Sequence, residues 1–560
     1  MRIVKFLEDI KIRVLPLCIY SYIALPFLIF AAGFLKWYFA IPFSIVTIFS
    51  VILASSASEG LGKINFFRRD ILKLIFGLLF IIVIVLLSGI GGYMWQNSDH
   101  ATRNTLFNIL TNYPWPPVND GGSVGIVYYI GFWLPSALVG KLTSLPFGYL
   151  FQVIWAVLGM LLIWLILCSF HKRIVIYPLI IFLFFSGLDI FGYKLVTHIF
   201  SDLARIQIGK WASFGDIFAT YHIEWWPRYY QFSSHITQLF WVFNQALPIW
   251  LITLTLISEK NNKNLVFLMG LSMLSSTLPF VGLIPIFFWC AVTDYNERIP
   301  ERTFTKTPLS SFLSLFTFQN ILGGGISGII SFIYLTNNIA SAGTPAASSA
   351  AAAAIDPFKN PMFYILCTLM IASCAAVFFL NYKADFKKAY VFSVSLPLML
   401  AAYKFLSSSA MRQSYFLLFL IFEILALIVP LFPAYGKTSL YYVISLSLIL
   451  IPFFKVGKSI DFCMRVSIPA LCVLSLMTIF ALSKYFKEKK IVHFIIIIAV
   501  LVCGAVTPIH EISRTALTSY DRYTKKGEIV NAEKKESSLF GGGNFTGKTE
   551  DSLFFEVFAK

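Results

Sequence analysis

With 560 residues, 58% of them hydrophobic and 13% charged, and a mean hydropathy of +0.78, the chain lies far from the composition of a water-soluble globular protein. The formal net charge of +17 does not point to nucleic acid, because much of the basic excess falls in short loops between apolar runs, where it reports topology. Eight cysteines are scattered, mostly inside apolar runs, with no CxxC pair and no zinc spacing, so neither a disulfide framework nor a metal site is indicated.

The N-terminus MRIVKFLEDIKIRVL is basic and leads into an apolar run longer than a signal-peptide core, which predicts an uncleaved first helix that starts inside. Runs such as ILKLIFGLLFIIVIVLLSGIGG (71–92) are continuous and long enough to span as helices, whereas a β-barrel would alternate apolar and polar residues. The expected fold class is all-α, a polytopic transmembrane helical protein. Candidate spans are 14–35, 37–57, 71–92, 149–168, 175–195, 237–257, 264–281, 282–294, 318–335, 361–381, 388–404, 414–432, 438–454, 466–484 and 490–507, about 15 in all.

Segment 124–143 is apolar enough to span, yet it contains Pro135 and ends at Lys141. Laying it along the outer interface puts Lys63/Arg68/Arg69, Lys172/Arg173, Lys260/Lys263, Arg298/Arg302/Lys306, Lys383/Lys387/Lys388 and Lys484/Lys487/Lys489/Lys490 all on one side, the cytoplasmic one. The chain then divides into N-terminal spans (1–92), a first outer loop with interfacial helices (93–148), and a transmembrane core (149–335) containing a second outer loop (196–236). An Ala/Ser-rich outer connector (336–360), C-terminal spans (361–507) and an outer tail (508–560) follow. Phe554, Phe555 and Phe558 predict that the end of the tail docks.

Polar side chains collect at the outer ends. Asp99 opens a segment in which His100, Arg103 and Asn104 share about one helical turn with it, as an N-cap or as a reactive group. Asp202, Asp216, His222, Glu224, Arg228 and His235 lie among Trp225, Trp226, Tyr229, Tyr230 and Trp241, a mixture that suits sugar rings or an aromatic belt at the headgroups. His235, Gln238, Asn244 and Gln245 recur at helical spacings at the outer end of a span. Asp189 is an acid inside a span, facing a cavity or a partner such as Lys194, and Glu423 stands almost alone at depth. Asp461 and Arg465 form an i,i+4 pair, either a helix bridge or a phosphate grip. Gly324 and Gly328 have the spacing of close helix packing.

This layout resembles the GT-C superfamily of integral-membrane glycosyltransferases, best over residues 71 to 260, with an acid in the first large outer loop, interfacial helices, and then the returning helix FGYLFQVIWAVLGMLLIWLILC. The words SGLDIFGY, FWVFNQALP and DFCMRVSIPAL also look like those of uncharacterised bacterial multi-pass proteins grouped with it. The acidic pair common in that superfamily is reduced here to SDH, and its Lys-Pro-Pro-Leu stretch is replaced by LPSALVGKL.

The resemblance implies transfer of a sugar from a polyprenyl-phosphate donor to a glycan, lipid or protein acceptor at the outer face of the plasma (inner) membrane. Asp99 is then the general base, with His100 and Asp189 as further catalytic candidates. Arg103, Asn104, Lys141, Asp202, His235, Gln238, Asn244, Gln245, Asp461 and Arg465 would bind substrate, Arg465 with Lys141 or Arg103 countering the departing phosphate. No cofactor is required on this reading, although a divalent cation is compatible with it; the partners are the lipid-linked sugar, its acceptor and membrane lipids, with no nucleic acid. A transporter or flippase of a lipid-linked saccharide, or a polysaccharide polymerase or ligase, stands as the alternative.

Overall fold

The computed structural model describes residues 13–61, 64–65, 67–68, 70–199, 222–296, 301–303, 308–338, 400–406, 408–455, 460–527, 533, 535, 539–540 and 545–560. They are mostly helical, and eight helices among them are long and apolar enough to cross a membrane. The elements are α1 (Val14–Phe34), α2 (Trp37–Ala57), α3 (Asp70–Leu87), α4 (Ser98–Asn112), β1 (Val124–Ile126), α5 (Leu134–Leu142), α6 (Leu145–Phe170), α7 (Tyr177–Leu183), α8 (Asp189–Ile199) and α9 (His235–Ser258). After these come α10 (Leu265–Ser272), α11 (Thr277–Val292), a small β2–β3 ribbon (Asp294–Asn296 with Glu301–Thr303), α12 (Pro308–Leu313), α13 (Gly325–Thr336), α14 (Ala410–Phe419), α15 (Ser439–Leu450), α16 (Asp461–Val466), α17 (Ile468–Lys487), α18 (Ile491–Gly504), α19 (Val506–Lys526) and β4 (Thr546–Lys548).

Local sequence explains many of the boundaries. Proline sits in the first turn of α5, α6, α7 and α17, where its missing N–H costs nothing. Ser234 caps α9 by accepting from Thr237 N at 3.1 Å, and Asn97 caps α4 by accepting from Asp99 N at 3.1 Å. Asp99 is therefore in the first turn and not the cap. Gly89, Gly91 and Gly92 all have positive φ, near 80°, and turn the chain sharply out of α3.

The ends of the helices gather in two places. At the basic end, Asn65 N donates to Lys172 O at 2.9 Å, Asn261 reaches Ala57 O at 3.1 Å, and the Tyr177 hydroxyl meets Ser483 Oγ at 2.8 Å. The loops bearing Arg68, Lys172, Arg173, Lys260, Lys263, Lys484 and Lys487 thus share one end. At the other end, β1 pairs antiparallel with β4, Lys36 N donates to Phe558 O at 2.8 Å, and the Tyr334 hydroxyl donates to Ile126 O at 3.0 Å. The end of the tail is docked there, with Phe554 buried against Phe30 and Tyr334.

Several expected spans take another form. Residues 264–281 and 282–294 form a hairpin whose turn lies earlier than expected: α10 and α11 meet at the Ser-rich stretch 273–276, where Leu274 O accepts from Gly131 N, and α11 returns to the end at which α10 begins, where Asn262 Nδ2 reaches Ala291 O at 2.7 Å. The 175–195 run is broken at 184–188, between α7 and α8. The carbonyls released there accept from His235, Phe182 O at 2.6 Å from Nδ1 and Phe185 O at 3.2 Å from the backbone N–H. Segment 124–143 is a strand followed by the short helix α5, because the β4 edge satisfies the backbone of 124–126.

Residues 508–526, read as polar tail, belong to α19, which follows α18 directly. Its polar face, with His510, Glu511, Arg514 and Ser519, is buried, while Leu517, Tyr520 and Tyr523 face outward. Gly324 and Gly328 do serve close packing: α13 lies so near α10 that a Cβ on Gly270 would come within 2.2 Å of Gly324 O. The span 361–381, most of 388–404 and most of the connector 336–360 lie outside the described residues.

Candidate functional site

The Asp99 turn is built into the end opposite the basic loops. Asn97 Nδ2 donates to Phe240 O at 2.9 Å, a carbonyl next to the irregular turn at Val242, whose φ of −137° interrupts α9. Gln96 Nε2 donates to Gly89 O at 2.8 Å and its Oε1 accepts from Asn104 Nδ2 at 2.8 Å. Asn104 is thus a brace of the turn. His100 is buried beside Phe243 with Nδ1 3.1 Å from Asn97 Oδ1, and its Nε2 has no partner among the described residues. Burial, and then the Arg103 charge, pushes this imidazole well below its usual range, so it is neutral at pH 7.

Asp99 itself stays half exposed and accepts from Arg103 Nη2 at 3.1 Å. Arg103 is buried, its guanidinium 5.4 Å from the Phe243 ring centre. From α16, Arg465 donates from Nη2 to the half-exposed Asp461 at 3.3 Å and from Nη1 to the Tyr129 hydroxyl at 2.7 Å. Tyr128 donates to Tyr129. Burial works against the charge on Arg465, but Tyr129, Asp461, Tyr128 and Asp99, in that order, outweigh it and hold the guanidinium above its usual range. The Asp99 charge acts on Arg465 and the Arg103 charge on Tyr128, so two acid–arginine pairs more than 350 residues apart in the chain lie in one neighbourhood, with Tyr129 bonded to the second of them.

A second polar cluster lies deeper. Asp189, at the start of α8, accepts from Trp226 Nε1 at 3.1 Å, Thr507 Oγ1 at 3.1 Å and Ser186 Oγ at 3.3 Å. Lys194 is not its partner. Its neighbour is Glu423, which lies in a π-helical turn (Leu420–Leu425) after α14, close enough for the two carboxyls to interact, so Glu423 is not alone at depth. The same turn leaves Phe422 O free to accept from Leu188 N at 2.9 Å. Glu224 is near enough for its charge to act on Glu423 and is held by Gln231 Nε2 at 3.0 Å and Ser234 N at 2.9 Å. Alongside, Glu511 accepts from Trp241 Nε1 at 2.9 Å and Arg514 Nη2 at 2.5 Å, while His222 stacks on the half-exposed Trp225 at 4.7 Å.

Other expected contributors go elsewhere. Lys141 donates to Tyr113 O and lies over the Trp115 ring at 5.3 Å, because the α5 C-terminus points it at that carbonyl; it does not join the two arginines. His235 is buried among Phe182, Phe185 and Trp250, completing the broken α7–α8 backbone. Gln238 spans Ser233 O at 2.7 Å and Trp250 Nε1 at 3.1 Å. Asn244 and Gln245 are buried within α9, and neither amide oxygen has a partner among the described residues. Asp202 lies outside the described residues. Tyr128 and Tyr129 were missed, since the run VGIVYYIGFWLP was weighed only for its power to cross a bilayer.

No group of three or more His, Cys, Asp or Glu side chains among the described residues is placed to hold a metal ion. Comparison with protein-family models, with curated proteins and with solved structures finds no match for this chain.

Proposed function

We propose that the chain is a membrane glycosyltransferase of GT-C type that moves a sugar from a polyprenyl-phosphate donor to an acceptor hydroxyl. On this reading the reaction takes place at the end of the bundle carrying Asp99, as the outer face of the plasma membrane; the gathering of basic loops at the opposite end supports that orientation. The observation that carries this reading is the meeting of a half-exposed carboxylate, Asp99, with two buried or nearly buried guanidiniums, Arg103 and Arg465, at one surface. Asp99 takes the proton of the acceptor hydroxyl as that oxygen bonds to the anomeric carbon. The bond from that carbon to the phosphate oxygen breaks, its electron pair leaves with the phosphate, and Arg103 and Arg465 neutralise the charge that grows there.

The test is incorporation of labelled sugar by membranes containing wild type or Asp99→Asn at matched expression. Loss of roughly 10² to 10⁴ in rate with the fold retained is the expected result. Full activity in the variant removes Asp99 from the mechanism.

Asp189 and Glu423, at a broken helix and a π-helical turn, favour a second reading as a transporter of a lipid-linked saccharide, since carboxyls at discontinuous helices are the parts such proteins use. Glu423→Gln that abolishes saccharide flipping in vesicles, from a wild type that transfers no sugar, would establish that reading instead. A polymerase or ligase using the same donor lipids differs from the first reading only in its acceptor.

A further inference from the structure

The phenols of Tyr128 and Tyr129 carry two hydroxyl protons, and their mutual hydrogen bond uses one of them. Tyr128 donates to Tyr129, and Arg465 Nη1 donates to the same Tyr129 oxygen at 2.7 Å. A phenol oxygen that accepts twice still has its own proton to give, and none of the described residues takes the one on Tyr129.

Among the described residues, Arg465 Nε is buried with no partner, and so is Nη1 of Arg103, whose side chain is 8% exposed. The charges of Arg465 and Arg103 both act on Tyr128, so the surplus donors belong to one neighbourhood. Burial, and then the Tyr129 hydroxyl, holds the Tyr128 phenol well above its usual range, so at neutral pH it keeps the proton it donates. Buried donors without acceptors are destabilising. Two guanidiniums and a phenol together fit a ligand that only accepts and carries negative charge. An oxyanion of the phosphate-ester class has both properties. Tyr128 and Tyr129 are themselves half-buried, so the site opens to the surface on which Asp99 and Asp461 stand.

We infer that the Tyr129 hydroxyl donates a hydrogen bond to an oxygen of a phosphate group gripped by Arg103 and Arg465. The polyprenyl carrier of that phosphate rests on the transferase reading above, whereas the anion site stands on the count of donors. Tyr129 selects for a phosphate over a neutral headgroup and fixes which of its oxygens faces Arg465.

The experiment is equilibrium binding to the full chain in nanodiscs, with farnesyl monophosphate, inorganic phosphate and farnesol as probes. Wild type is expected to bind farnesyl monophosphate, and Tyr129→Phe, which removes only the hydroxyl, to bind it at least about tenfold more weakly. Tyr129→Phe leaves Arg465 Nη1 and the Tyr128 hydroxyl without their shared acceptor and should lower the melting temperature while the chain still folds; should it fail to fold, Arg103→Gln carries the same expectation. Farnesol should bind with no dependence on Tyr129. Tyr129-dependent binding of inorganic phosphate identifies a free anion as the ligand, and its restriction to farnesyl monophosphate identifies a lipid-borne one; both support the site. Equal affinity of wild type and Tyr129→Phe for every phosphate probe, or no wild-type binding of either, overturns it. Tyr129-dependent binding by a chain that transfers no sugar would sink the transferase reading while leaving the anion site intact.

Discussion

Arg465 Nη1 and the Tyr129 hydroxyl are 336 positions apart in sequence and 2.7 Å apart in space. That bond ties α16, and with it the Asp461–Arg465 pair, to the segment after β1. The behaviour of the site therefore depends on whatever keeps α16 in place.

Gly282, on α11, is one such residue. A Cβ there would come within 1.9 Å of the Val466 carbonyl and 3.3 Å of Pro469 Cδ, so an alanine forces α16 away from α11. On the transferase reading, Gly282→Ala is expected to lower sugar transfer at least about tenfold, as one lost charged hydrogen bond would, although it touches neither arginine. Transfer assays beside Arg465→Ala check this, and full activity would show that α16 is not held by that contact.

Glu224 gives stability a slope with pH. Burial, and then the Asp189 charge, pushes its carboxyl from 4.5 up to about 8. Between those values the unfolded chain has lost a proton that the folded chain keeps, so stability falls as pH rises through the window. Melting of wild type at pH 5 and pH 8 should show the loss, and Glu224→Gln should reduce it.

His222 acts in the opposite direction. Burial, the largest influence, lowers its imidazole from 6.5 to about 4, with Glu511 opposing. As pH falls from 6.5 towards 4 the unfolded chain binds a proton that the folded chain refuses, and stability is lost. His222→Phe keeps a ring to stack on Trp225 and should lose less stability than wild type between pH 7 and pH 5.

Phe554 is fully buried, 5.8 Å from the Phe30 ring and 5.0 Å from that of Tyr334. Phe554→Ala is expected to cost roughly 3 to 5 kcal/mol and to raise hydrogen exchange at residues 124–127. Unchanged exchange there would mean that β1 does not depend on the docked tail.

The sequence made both acid–arginine pairs legible because each is an i,i+4 repeat within one helix, readable from spacing alone. Their meeting was not legible, since it depends on Tyr129 reaching across a tertiary contact that no local pattern encodes. Lys141 and His235 misled for a related reason: both bear functional groups at plausible depths, yet a nearby carbonyl, Tyr113 O for one and Phe182 O for the other, claims the side chain. Broken helices were equally hidden, because hydropathy averages over the five residues 184–188 and reads α7 and α8 as one run. The gathering of the basic loops, by contrast, follows from charge spacing that the sequence displays directly.

Strand β1 has its partner far down the chain. Val127 N donates to Phe545 O at 2.9 Å, and Thr549 Oγ1 reaches Gly122 O at 2.6 Å across 427 residues. During synthesis, the segment leading into Tyr128 and Tyr129 waits with open backbone groups while α5 to α19 are made. Assembly of this surface is thus a late event in the life of the nascent chain, and a ribosome that stops before residue 545 leaves a bundle with an unfinished site.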